Sequence, residues 1–76
     1  SALIDKILDA VKTEYAAEDI NTIDGVKISF EAKREWVHLR RSNTEPIIRI
    51  YAEAATQEAA DALAQQIIDV AEKIIG

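Results

Sequence analysis

The 76 residues suffice for one small domain, and because 49% of them are apolar the chain can bury a core without disulfide or metal staples. With no cysteine and a single histidine it has no disulfide framework and no thiolate site, and a zinc site is argued against. A formal charge of −5 works against general nucleic-acid binding, which needs surplus Lys and Arg.

In chain order, residues 2–16 read as a helix: Ile4, Ile7, Leu8, Val11 and Tyr15 share one face, and Asp5, Lys6, Asp9 and Lys12 decorate the other. Residues 18–24 carry a short strand signal centred on Ile20 and Ile23. Asp24-Gly25 then marks a tight turn, since Gly accepts a positive φ without steric cost. Val26, Ile28 and Phe30 alternate with Lys27, Ser29 and Glu31, the pattern of a half-buried strand. A turn is predicted over 32–35 and a third strand over 36–40, with Val37 and Leu39 on one side and Trp36, His38 and Arg40 on the other. After a polar loop closed by Pro46, residues 47–54 read as a fourth strand, and Pro46 sits at its mouth, where a missing N–H does least harm. Thr56 suits a helix N-cap with Glu58 near the positive end of the dipole, and Ala60, Leu63, Ile67, Val70 and Ile74 repeat at helical spacing. Gly76 suits the C-terminal cap.

The predicted order is α-β-β-β-β-α. Short connections make the strands antiparallel, so the fold class is α+β: a four-stranded antiparallel sheet with both helices on one face. Val26, Ile28, Phe30, Val37, Leu39, Ile48 and Ile50 would line the covered face. Lys27, Ser29, Glu31, Trp36, His38, Arg40, Arg49 and Tyr51 would occupy the other. No apolar run approaches the ~18 residues of a membrane span, and no signal peptide is visible. A cysteine-free chain fits a reducing, cytoplasmic location. The first residue is Ser1 and not Met, which suggests a piece cut from something longer.

The loop in RRSNTEPIIR, residues 40–49, stands out in so acidic a chain. Arg40 ends the third strand and Arg49 lies on the fourth; strand parity puts both on the uncovered face, side by side. Two guanidinium groups together are costly unless an anion shares them or Glu45 offsets them. Arginine offers a planar fork for phosphate oxygens, Ser42 and Thr44 add hydroxyls, and Asn43 tolerates the positive φ that an amide-lined nest requires. Pro46 holds Glu45 extended and stiffens the exit. These features describe a cradle for one phosphate group. The same composition also describes an ordinary solvated loop, with the arginines free or paired with Glu31 or Glu53.

The residues 40–54, RRSNTEPIIRIYAEA, resemble the phosphate-binding loop in the C-terminal domain of the α-D-phosphohexomutases. That family includes phosphoglucomutases, phosphomannomutases and phosphoglucosamine mutases. Its pattern is Arg-x-Ser-(Gly or Asn)-Thr-Glu-Pro-x-x-Arg, and Arg40, Ser42, Asn43, Thr44, Glu45, Pro46 and Arg49 match it in order. DGVKISF before the loop, Trp36, and a closing helix rich in Ala and Ile also resemble the family, whereas the turn AKRE lacks the Asp-Gly often found there.

The resemblance implies a parent of four domains that moves a phosphoryl group between the 1- and 6-positions of a hexose phosphate, through a bisphosphorylated sugar and an active-site phosphoserine, with Mg²⁺. The phosphoserine loop, the Mg²⁺-binding aspartates and the sugar-selecting loop belong to the other three domains, so residues 1–76 alone would not catalyse and would carry neither a cofactor nor a metal. The last domain would clamp the substrate phosphate that is not transferred and would rotate to close the cleft.

On that resemblance Arg40 and Arg49 would contact the phosphate, although Arg49 could instead brace the loop through Glu45. Ser42, Asn43 and Thr44 would ring it with side-chain or backbone donors, Glu45 would orient an arginine, and Pro46 would shape the loop. Arg41 would point to the helix-covered side or to solvent. His38 would make an ancillary contact or, the preferred reading, be structural or solvent-facing. Trp36 and Tyr51 would stack on sugar or, in preference, meet the other domains or cover the sheet. The partners implied are a phosphosugar and those domains, with neither nucleic acid nor membrane. The alternative function is a non-catalytic interaction module using the uncovered face, anchored by Trp36, Tyr51 and Ile47.

Overall fold

A computed structural model describes residues 2–42 and 47–76. Helix α1 (Ala2–Glu14) buries Ile4, Ile7, Leu8 and Val11, the stripe set by helical spacing. It stops short of the predicted residue 16. Ala16 N–H turns back to the Thr13 carbonyl at 3.4 Å and Glu18 N–H to that of Tyr15 at 2.9 Å, tightening the chain toward the sheet. Tyr15 stays half-buried, edge-on to Phe30 with ring centroids 5.8 Å apart at 88°. Burial, and then the charges of Glu14 and Asp69, raise its phenol above the ordinary tyrosine value.

Strand β1 (Asp19–Asn21) is shorter than the predicted 18–24. Ile20 pairs with Ile28 and packs against the core, but Ile23 is 91% exposed and outside the sheet. The cause is local: the Asn21 side-chain oxygen accepts from the Ile23 N–H at 2.9 Å, an Asx turn that diverts the backbone before a second inward residue can be placed. Strand β2 (Val26–Phe30) follows Gly25, whose φ of +73° confirms the turn. Glu31–Lys33 form a 3₁₀ turn closed by Arg34 at φ 56°, so Glu31 belongs to the turn and not to the open sheet face where the alternation placed it. Strands β3 (Glu35–Arg41) and β4 (Ile48–Glu53) complete one open sheet in the order β1-β2-β3-β4, with every neighbouring pair antiparallel.

Helix α2 (Gln57–Ile75) starts at Thr56, whose hydroxyl accepts from the Ala59 N–H at 3.0 Å. It ends where Gly76, at φ 104°, returns its N–H to the Glu72 carbonyl at 3.0 Å. Ala60, Leu63, Ile67 and Val70 are buried; Ile74, predicted to join them, remains 38% exposed in the last turn. Both helices cover one sheet face. Val11, Ile28, Val37, Leu39 and Ile67 are fully buried between the layers, with Phe30, Ile48 and Ile50 packed around them. Full burial of each large aliphatic side chain contributes about 1.5–3 kcal/mol. The opposite sheet face lies away from this core. Among the described residues no helix is long and apolar enough to cross a membrane.

Candidate functional site

Residues directly opposite in an antiparallel pair share a face, so the register lays out the uncovered surface as rows. Lys27, His38 and Tyr51 form one row, and Ser29, Trp36 and Glu53 the next. At the loop end, Arg40 stands directly opposite Arg49. The juxtaposition expected from strand parity is therefore present. Like charges in this position are destabilising unless something offsets them.

The offset comes from a residue that sequence reasoning treated only as a turn former. Arg40 Nη2 lies 3.1 Å from Asp24 Oδ2, while Glu45, the expected offset, lies outside the described residues and the partners of the solvated-loop reading are placed elsewhere. Glu31 sits in the 3₁₀ turn, and Glu53 Oε2 accepts from the Trp36 indole N–H at 3.0 Å. The register contained the signal. Val26 pairs with Leu39, so the Asp24-Gly25 turn must lie beside Arg40. Arg41, one residue on, falls on the helix-covered side and pairs with Asp5 of α1. Asp5, Lys12, Asp24, Gly25, Arg40 and Arg41 contribute to the lining of an open cleft of about 570 Å³.

His38 serves this turn. Its Nε2 is 2.6 Å from the backbone carbonyl of Asp24, and a carbonyl only accepts, so Nε2 must carry the proton. The histidine ties the third strand to this turn. Nitrogen-detected NMR of the neutral ring should report the Nε2–H tautomer; an Nδ1–H signal would show that the tie is not made.

The open-face aromatics are also engaged. Lys27 Nζ lies 4.7 Å from the Trp36 ring centroid, so one indole face is covered and its N–H is used by Glu53. That arrangement suits sheet cover better than sugar stacking. Tyr51 is 44% exposed. Ile47 does not anchor this face: it lines an apolar groove of about 420 Å³ together with Leu3, Ile7, Ile68 and Ile75, on the helix side.

At the base of the loop, Ser42 N–H donates to the Ile47 carbonyl at 3.0 Å, adding a rung beyond the β3–β4 register. The Ser42 amide is thus committed to the backbone ladder and not to an anion. Asn43, Thr44, Glu45 and Pro46 lie outside the described residues. Among the described residues no group of three or more His, Cys, Asp or Glu is arranged to hold a metal ion.

Residues 2–70 match the model of a family described as phosphoglucomutase/phosphomannomutase, C-terminal domain. The chain is 38% identical over 73 residues to a protein of Pyrococcus horikoshii named probable phosphoglucosamine mutase, an alignment covering 96% of this chain and 16% of that protein. It is 40% identical over 77 residues to a protein of the same name from Methanothermobacter thermautotrophicus, covering 95% of this chain and 17% of that protein. It is 43% identical over 54 residues to a phosphoacetylglucosamine mutase of Oryza sativa, covering 71% of this chain and 9% of that protein. The chain therefore spans only a small part of the length of these relatives.

Proposed function

The chain belongs to the phosphoglucomutase/phosphomannomutase family as its C-terminal domain, and on that premise we propose that it clamps, for a parent phosphohexomutase, the substrate phosphate that is not being transferred. The parent would interconvert hexose 1-phosphate and hexose 6-phosphate through a bisphosphate. The names of the relatives favour an amino-sugar phosphate as substrate. In this reading residues 1–76 form one domain of the parent, its partners are the phosphosugar and the remaining domains, and its location is cytoplasmic. Mg²⁺, implied by the resemblance for the parent, finds no group of three or more His, Cys, Asp or Glu among the described residues.

The observation that carries the proposal is the register pair Arg40–Arg49 at the mouth of a loop with the family signature. An otherwise acidic domain concentrates positive charge where two strands end, and guanidinium forks suit phosphate oxygens. Each well-made charge-assisted contact contributes about 1.5–3 kcal/mol. Ser42, Asn43 and Thr44 supply further donors in this reading, while Glu45 and Pro46 shape the loop. Holding a phosphate remote from the reacting bond fixes the sugar for in-line transfer, so binding energy is used for positioning.

Titration with inorganic phosphate, and separately with a hexosamine 6-phosphate, should shift backbone amide signals between Arg40 and Thr44 and at Arg49, leaving those of the buried helix positions still. The dissociation constant should be on the order of millimolar (about −4 kcal/mol), since the other domains supply further contacts. No response at tens of millimolar would overturn the clamp.

A further inference from the structure

We propose that Asp24 is the built-in counter-anion of the phosphate site: it holds Arg40 when the site is empty, and an incoming phosphate must take the arginine from it. This rests on the clamp reading and adds a residue that sets its affinity.

The geometry makes Asp24 the fixed partner and Arg40 the moving one. Gly25 adopts φ +73° against the third strand, so closely that a Cβ there would fall 2.1 Å from the Leu39 carbonyl oxygen. On the other side, the His38 Nε2–H ties down the Asp24 carbonyl at 2.6 Å. The register Val26–Leu39 holds the whole turn alongside β3. The Asp24 backbone is thus tied by His38 and set, through Gly25, against Leu39, whereas Arg40 reaches Asp24 through a long side chain with several rotatable bonds. An exchange of partners is therefore a swing of the arginine from the Asp24 side of β3 toward the β4 side, where Arg49 stands.

The strength of the pair suits that role. The two side chains are 49% and 65% exposed, so the ion pair is screened. Exposed pairs of this kind correspond to a factor of up to about five in a binding constant. That is enough to offset the Arg40–Arg49 repulsion in the empty protein and to bias Arg40 toward Asp24. It is too little to resist a phosphate that engages both guanidinium groups. Asp24 then remains nearby as an uncompensated carboxylate, repelling the anion and lowering its affinity further.

The test is Asp24→Asn, which keeps a good turn residue and removes only the charge. The apparent dissociation constant for inorganic phosphate, followed at the Ser42 amide, should fall two- to fivefold. The Arg40 guanidinium signal of the ligand-free protein should move, and Asp24→Glu should return the affinity toward wild type. A urea midpoint near that of wild type would show the turn intact. If wild type responds to phosphate but Asp24→Asn binds equally or more weakly, the counter-anion role is overturned and the clamp stands. If wild type gives no response, the clamp itself fails and this inference falls with it.

Discussion

Arg40→Ala should extinguish the phosphate response while leaving the domain folded. The side chain is about half exposed, and its pair with Asp24 is the kind worth at most about 1 kcal/mol, so the unfolding midpoint should move little. Binding is different. Losing one charge-assisted contact weakens affinity by about 1.5–3 kcal/mol, roughly 10- to 150-fold, which carries a millimolar site beyond any practical titration. The truncation also leaves the Asp24 carboxylate unpaired beside the site, where it opposes an anion. Arg40→Lys should fall between wild type and Ala, because it restores the charge without the planar fork. Amide titrations paired with thermal unfolding would decide. Unchanged shifts in a folded Arg40→Ala protein would remove Arg40 from the site.

Gly25→Ala should destabilise the domain strongly, whereas Gly76→Ala meets no neighbouring atom. The positive φ alone costs an ordinary residue about 1–2 kcal/mol. In addition the new Cβ would sit 2.1 Å from the Leu39 carbonyl oxygen and 3.2 Å from the Arg40 α-carbon, both backbone atoms of a paired strand that cannot rotate away. Either the turn lifts or β3 shifts, and Leu39 is fully buried, so a shift disturbs the core. A total loss of about 2–4 kcal/mol is a large part of the roughly 5 kcal/mol expected of so small a domain. At about 4–8 °C per kcal/mol, the melting temperature should drop by at least about 8 °C. Calorimetry would check this; a midpoint within a degree or two of wild type would mean that the turn does not lie against Leu39.

The outcome of the sequence reading follows the range of each signal. Strand alternation is strictly local and periodic, so the sequence alone assigns Val26, Ile28, Val37 and Leu39 to the core, and Arg40 and Arg49 to a common face. Thr56 was assignable for the same reason, since a cap is settled within four residues. Ile23 was misplaced because one side-chain hydrogen bond from Asn21 outweighed its apolar character. Arg34 at a positive φ carries no sequence mark at all; the closure of the turn puts it there. Ile47, just outside β4, lines the helix-side groove, against the parity that would put it with Arg49 and Tyr51. The role of Asp24 needed the exact β2–β3 register, which depends on the length of the 3₁₀ turn between them and is not a property of either strand.

The sheet has one more consequence. Its strands lie side by side in the order in which the chain runs, so assembly needs no threading and little long-range search. Such local connectivity predicts rapid, single-phase refolding. The arginines meet within one hairpin, and can be neighbours before the first helix has found the last.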